Sequence, residues 1–190
     1  MIMIGISDED DDGFPQRQAL IAAANAGDSR AQYLLAERYR IGDEWTAQDY
    51  VEAARWYRRA AEQGHPAAQN DYGSICLNGM GVLKDAAEAA RWYRKAAEQG
   101  LAMAQFHYAL RCLHGDGVER DDTEAVLWLG KAAEQGHVEA TGQLGTCYRF
   151  ARGVKRNTVL AAQLHVKARE ERRHRVGVAA MGGEAQHPKR

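Results

Sequence analysis

The chain has 190 residues, enough for one domain with its own hydrophobic core, and length alone does not demand a second. Its formal net charge of -1 conceals a division: residues 1–148 hold 14 Lys/Arg against 23 Asp/Glu, and residues 149–190 hold 11 against 3, which is -9 followed by +8. Only three prolines interrupt a composition rich in helix-favouring residues, and no run approaches the ~20 apolar residues of a membrane span, so an all-α chain without a spanning segment is expected.

The first segment, 1–13, begins with apolar Met1 to Ile6 and continues into the acidic run Asp8 to Asp12. No basic residue precedes the apolar stretch, so it does not read as a classical signal peptide, and the chain is expected in the cytoplasm, with export by another route left open. A short, acidic terminus of this kind is expected to be disordered. An Ala-rich helix over 16–27 follows, ending in Ala23-Ala24-Asn25-Ala26-Gly27.

From there the sequence repeats itself. Trp56-Tyr57-Arg58-Arg59-Ala60-Ala61-Glu62-Gln63-Gly64 returns as Trp92-Tyr93-Arg94-Lys95-Ala96-Ala97-Glu98-Gln99-Gly100 and as Trp128-Leu129-Gly130-Lys131-Ala132-Ala133-Glu134-Gln135-Gly136, a step of 36 residues each time. Four residues after each closing glycine stands Ala31-Gln32, Ala68-Gln69, Ala104-Gln105 or Ala140-Thr141. Each pair opens a second periodic run. The units therefore alternate a helix A (about 30–41, 67–78, 103–114 and 139–151) with a helix B (about 50–63, 86–99, 122–135 and 158–174), giving repeats over 28–64, 65–100, 101–136 and 137–172 within a domain spanning 14–175.

The turns agree with this division. Gly64, Gly100 and Gly136 stand where a helix C-terminus favours the left-handed conformation. Between A and B, Gly79-Met80-Gly81-Val82-Leu83-Lys84-Asp85 and Gly115-Asp116-Gly117-Val118-Glu119-Arg120-Asp121 supply glycines for the reversal, a valine for the core and an aspartate to cap helix B. The first such loop carries one extra residue and Trp45; the last has Ala151 and Asn157 in place of a glycine and the aspartate.

Short helices of this kind are stable only when stacked, so the positions repeated in kind are the expected core. In helix A these are Ala31, Leu35, Ala36 and Tyr39; Ala68, Tyr72, Gly73 and Cys76; Ala104, Tyr108, Ala109 and Cys112; and Ala140, Leu144, Gly145 and Tyr148. Cys76 and Cys112 replace a core tyrosine and are expected to be inert. With Cys147 they make an odd number and no C-x-x-C pair, which predicts neither a disulfide framework nor a zinc cluster. The helix over 158–174 is more polar than its siblings, as an outer cap requires, and 176–190, with Gly182-Gly183, is expected to be a disordered tail.

The alanine-glutamine start, the G-x-G-V-x-x-D turn and the closing W-Y-x-K-A-A-E-Q-G resemble Sel-one-like repeats over about residues 16–172. The resemblance implies a right-handed α/α superhelical solenoid of about four helix-turn-helix repeats, related to tetratricopeptide repeats, acting as a non-catalytic adaptor between proteins. By that analogy, helix A lines a concave groove that receives a peptide or amphipathic helix of a partner. The expected contact residues are Tyr33, Glu37 and Arg40; Asn70, Ser74 and Leu77; Phe106, Leu110 and Leu113; and Thr146 and Arg149. The alternative reading of the three apolar residues is that they pack on a neighbouring helix B. The opening helix is a candidate contact between two copies.

Other functions are less well served. A cysteine-rich branch of the family is associated with penicillin binding, which makes a hydrolase the alternative function, but the cysteine pairs of that branch are missing here. No P-loop, dinucleotide fingerprint or G-x-S-x-G elbow occurs, so neither catalytic residues nor a cofactor is expected. His107, Cys112 and His114 do not share one helical face well enough for a tetrahedral metal site. Lys155, Arg156, Lys167, Arg169, Arg172, Arg173 and Arg175 form a basic stretch, but Glu170 and Glu171 interrupt it and no aromatic residue interleaves, so nucleic acid is not the expected partner.

Overall fold

The computed structural model describes residues 14–43 and 46–182, with side chains from residue 16 to residue 174. Expectations for 1–13, Trp45 and 183–190 lie outside the described residues. Nine α-helices and no strand occur among the described residues: α1 (Phe14–Asn25), α2 (Ser29–Ile41), α3 (Tyr50–Glu62), α4 (Pro66–Asn78), α5 (Ala86–Glu98), α6 (Ala102–His114), α7 (Asp122–Glu134), α8 (Val138–Phe150) and α9 (Thr158–Gly182). The even-numbered helices α2 to α8 are the A helices and α3 to α9 the B helices, each within a residue or two of the sequence-derived bounds except at the end. There α9 continues to Gly182, so residues 176–182 are helical and not a tail. The correction has a simple cause: after Pro66 no proline precedes Pro188, and the first glycine pair that breaks helix is Gly182-Gly183.

The chain divides into two compact units, 1–92 and 93–190, each a succession of helical hairpins. In the first, α2 packs on α3, α3 on α4, and α1 on α2; in the second, α6 packs on α7, α7 on α8, and α8 on α9. Small residues make this possible. Ala53, Ala54, Ala60 and Ala61 of α3 and Ala125, Ala132 and Ala133 of α7 are buried, and over them lie Tyr57 and Leu129, each fully enclosed. Trp56, Trp92 and Trp128 are buried at the same helical position, and the Nε1 of Trp92 and of Trp128 donates to Glu88 and Glu124, each at 3.3 Å.

Two side-chain devices explain why alanine-glutamine and the closing E-Q-G recur. Gln32, Gln69 and Gln105 are buried and donate from Nε2 to the backbone carbonyls of Ala24, Ala61 and Ala97 at 3.0, 3.1 and 3.3 Å, joining each helix A to the helix before it. Gln63 and Gln135 donate in turn to the Oε1 of Gln32 and Gln105 at 2.7 and 2.8 Å. An unmade bond at such a buried site costs about 1–3 kcal/mol, so the motif residues tie the hairpins together as well as filling space.

The A-to-B loop keeps one register in all four repeats despite its sequence changes. Asp49, Asp85, Asp121 and Asn157 donate from backbone N–H to the carbonyls of Tyr39, Cys76, Cys112 and Tyr148 at 2.8–3.0 Å. Their side chains cap the following helix, Asn157 replacing aspartate by accepting from the Leu160 N–H at 2.9 Å. At Gly81 and Gly153 only glycine fits: a Cβ would stand 2.2 Å from the Tyr50 oxygen and 2.0 Å from that of Asp122.

The expected helix-A core is mostly in place. Ala31, Leu35, Ala36, Ala68, Tyr72, Cys76, Ala104, Tyr108, Ala109, Cys112 and Ala140 are buried, whereas Tyr39, Leu144 and Tyr148 are half-buried. Ile75 and Cys147 belong to the core as well, each 1% exposed. All three cysteines are free and buried, and burial raises their thiols, those of Cys76 and Cys112 to about 11, which favours the unreactive protonated form.

Candidate functional site

The residues assigned to the groove fall on one helical stripe, but its phase differs from the expected one at two places. Leu113 is 1% exposed and Asn70 is 7% exposed, so neither lines an open surface. Leu113 follows Ala109 and Cys112 at i+4 and i+1, which turns it with them into the core, as in the alternative reading given for the apolar trio. Asn70 lies between buried Gln69 and half-buried Asp71, and donates to the Asp71 Oδ1 at 2.9 Å. Tyr33, Glu37, Arg40, Ser74, Leu77, Phe106, Leu110 and Thr146 are half-buried, and Arg149 is exposed.

In the first unit, the stripe builds a cleft of about 380 Å³ between α2 and α4, lined by Tyr33, Glu37, Arg40, Asp71, Ser74, Ile75 and Met80. Its polar groups form two linked sets. Arg40 reaches both oxygens of Glu37, from Nε at 3.2 Å and from Nη2 at 2.7 Å, and also reaches the Tyr57 hydroxyl, which itself donates to Glu37. Beside them the Tyr33 hydroxyl donates to the Asp71 Oδ2 at 3.2 Å. Glu37 thus binds the Arg40 guanidinium directly, while Asp71, bonded to Tyr33, feels that charge only at longer range, all in a partly desolvated recess. Burial is the main reason that Asp71 holds its proton more tightly than an ordinary aspartate and that the Tyr33 hydroxyl is pushed up to about 12.

The second unit places an apolar side chain where the first has Tyr33. Phe106 stacks on His137 with ring centroids 4.8 Å apart, while Tyr33 stacks on His65 at the same distance. Both histidines cap the next helix A through Nδ1, accepting from the N–H of Ala140 and of Ala68 at 3.2 Å. Leu110 and Thr146 lie farther along the stripe. His107, one residue past Phe106, packs at 4.9 Å on Tyr93, and desolvation lowers it to about 4, so the imidazole is neutral at pH 7. Of the trio considered for a metal, Cys112 is buried, His107 half-buried and His114 exposed with Nδ1 near the Leu110 carbonyl at 2.8 Å, so the three occupy different surroundings.

Tyr57, His65 and Asp71 were not among the expected groove residues, and one of them leaves a sequence signal. A histidine follows the closing glycine in the two repeats whose preceding helix A carries an aromatic residue, Tyr33 with His65 and Phe106 with His137, whereas Leu101 stands there after Asn70. The phase of Asp71 has no such marker.

The sequence profile of the Sel1 repeat matches residues 29–65, 66–101, 102–137 and 138–171. No curated protein matches the chain. Among solved structures, the chain is similar to a protective antigen of uropathogenic Escherichia coli displaying an SLR fold, with 40% identity and a TM-score of 0.78 over 81% of this chain and 33% of that one. It is similar also to a Sel1 repeat protein from Oxalobacter formigenes, with 32% identity and a TM-score of 0.77 over 84% of this chain and 65% of that one. The chain thus spans a third of the first and just under two thirds of the second. Cysteine rich protein B of Helicobacter pylori shares the fold at 21% identity and a TM-score of 0.53, over 68% of this chain and 92% of that one.

Proposed function

Because the chain belongs to the Sel1 repeat family, whose members are protein-interaction scaffolds, we propose that it holds a segment of a partner protein against the variable face of its A helices. The observation that supports this reading is the cleft between α2 and α4. Its lining varies from repeat to repeat, unlike the alanines, glutamines and glycines that build the hairpins. It also holds Glu37 and Asp71 against the single cation Arg40, in a space large enough for one long side chain. A partner segment carrying lysine or arginine would supply a second positive charge there, and in the second unit Phe106 and Leu110 offer a separate, apolar contact. The role is non-catalytic.

Wild type and an Asp71→Asn, Leu110→Glu variant, both first shown to be folded by circular dichroism, are used side by side to capture partners from the native lysate. Partners lost only with the variant support the reading. Partners kept in full by both would move the contact off the A-helix face.

A further inference from the structure

The cations that α3 turns outward are not ones the hairpin requires. Arg55 and Arg58 have side chains 58% and 59% exposed. On α5 the matching residues are Arg91 and Arg94, but on α7 they are Leu127 and Gly130, the latter with nothing within 4 Å of a prospective Cβ. Arg59 differs. Its guanidinium lies 4.6 Å from the Trp56 ring centre, as the Lys131 ammonium lies 4.1 Å from that of Trp128, so a cation here braces a buried tryptophan. Arg55, Arg58 and Arg59 line a groove of about 460 Å³ between α3 and the turn after α4, together with Val51, Val82 and Glu62. The groove shares no residue with the α2–α4 cleft.

The carboxylates of α3 do not balance these cations. Arg58 pairs with Glu62 at 2.8 Å and Arg55 with Glu52 at 3.3 Å, whereas Arg59 makes no ion pair among the described residues. One positive charge is left over. Both pairs are solvent-exposed, and pairs of that kind hold weakly, so either arginine can turn to a better acceptor. The far wall of the groove is fixed in place. Gly81 lies so close to the start of α3 that a Cβ would stand 2.2 Å from the Tyr50 oxygen, and the Asp85 N–H donates to the Cys76 carbonyl at 2.9 Å. Apolar surface adjoins the cations: Val51 is 61% exposed, and Leu83, the residue after Val82, is 92% exposed.

We propose that this groove receives an acidic segment of a second partner protein, its carboxylates meeting Arg55, Arg58 and Arg59 and an apolar residue lying against Val51 and Val82. Guanidinium groups grip carboxylates through paired hydrogen bonds, and the apolar surface beside them favours a protein segment over a bare anion. Nucleic acid is served less well. Tyr72, the one aromatic side chain of the lining, is buried, so the groove offers no ring on which a base could stack. The α2–α4 cleft has a negative surplus and this groove a positive one, so the same unit holds segments of opposite charge at two places. The inference goes beyond the A-helix reading and does not rest on it.

Titration of the isotope-labelled full chain with a capped Glu-Asp-Glu-Leu-Val peptide, followed by NMR, tests it. Shifts should gather on α3 and residues 81–83. Affinity should fall as salt rises from about 0.01 to 0.15 M, over which the screening length drops from about 30 to 8 Å. Arg55→Gln combined with Arg58→Gln should weaken binding about tenfold or more. Both side chains are exposed and α7 does without them, so this variant should melt as the wild type does. Asp71→Asn should leave peptide binding unchanged, which keeps a failure here distinct from a failure of the A-helix reading. A Gln-Asn-Gln-Leu-Val peptide should not bind. Absence of shifts up to about 1 mM peptide, shifts centred elsewhere, an affinity that the double variant keeps, or equal binding of the amide peptide overturns the proposal. So does a single-stranded oligonucleotide of equal charge that displaces the acidic peptide at the same salt, which would give this face to nucleic acid.

Discussion

Single residues carry much of what makes the repeat recognisable, and two glycine positions separate backbone freedom from close packing. Gly64 has φ +89° with nothing within 4 Å of a prospective Cβ, whereas Gly81, at φ +72°, would place that atom 2.2 Å from the Tyr50 carbonyl oxygen. Gly64→Ala should therefore cost only the left-handed penalty, about 1–2 kcal/mol, while Gly81→Ala should cost clearly more, because backbone at the start of α3 must move. Urea midpoints check the order; equal losses would mean the close approach carries no energy. Ala151 is the converse case: it holds φ 57° at the place where Gly79 and Gly115 have φ 71° and 67°. Ala151→Gly is expected to raise stability by about 1 kcal/mol.

His107 adds a titration at the same scale. Its pKa falls from 6.5 to about 4 on folding because burial disfavours the imidazolium. Above pH 6.5 both states are neutral and the residue has no pH effect; between 6.5 and 4 the unfolded chain binds the proton and the folded chain does not, so stability falls as pH is lowered. The full window is worth on the order of 3 kcal/mol at 1.36 kcal/mol per unit. His107→Gln should flatten the dependence of the urea midpoint on pH in that interval, and an unchanged slope would show that other groups carry it.

At the scale of the helix, phase decides which substitutions the fold accepts. Leu110 and Leu113 lie three residues apart on α6, yet the first is half-buried and the second 1% exposed. Leu110→Glu is expected to leave the thermal transition close to wild type. Leu113→Glu buries a carboxylate without a partner and should cost about 3 kcal/mol or more. A melt that collapses with Leu110→Glu would put that residue in the core and remove it from the contact surface. The same pair shows how far periodicity reaches. A 3.6-residue repeat locates a helix and its buried alanines well, because every unit repeats them. It does not fix the boundary of the buried arc to better than one position, and Leu113 and Asn70 both stand at that boundary. Their sequence offers no turn or cap to settle the phase, whereas Gly64, Asp85 and Gln69 are legible because a backbone conformation, a cap and a buried hydrogen bond each require a particular residue type.

For the whole molecule, the repeat was legible from its 36-residue period, and the helical hairpins follow from it. The cleft between α2 and α4 was half legible: Tyr33, Glu37, Arg40 and Ser74 belong to the expected stripe, while Asp71 enters it from the adjoining position through the bond to Tyr33. The scaffold reading is then a statement about division of labour, in which the residues shared by all repeats build the hairpins and those that differ meet the partner. Amide hydrogen exchange of the chain with and without a captured partner tests that division most directly. Protection gained over α2, α4, α6 and α8 is the predicted result; protection confined to the B helices or to the segment after residue 168 would contradict it.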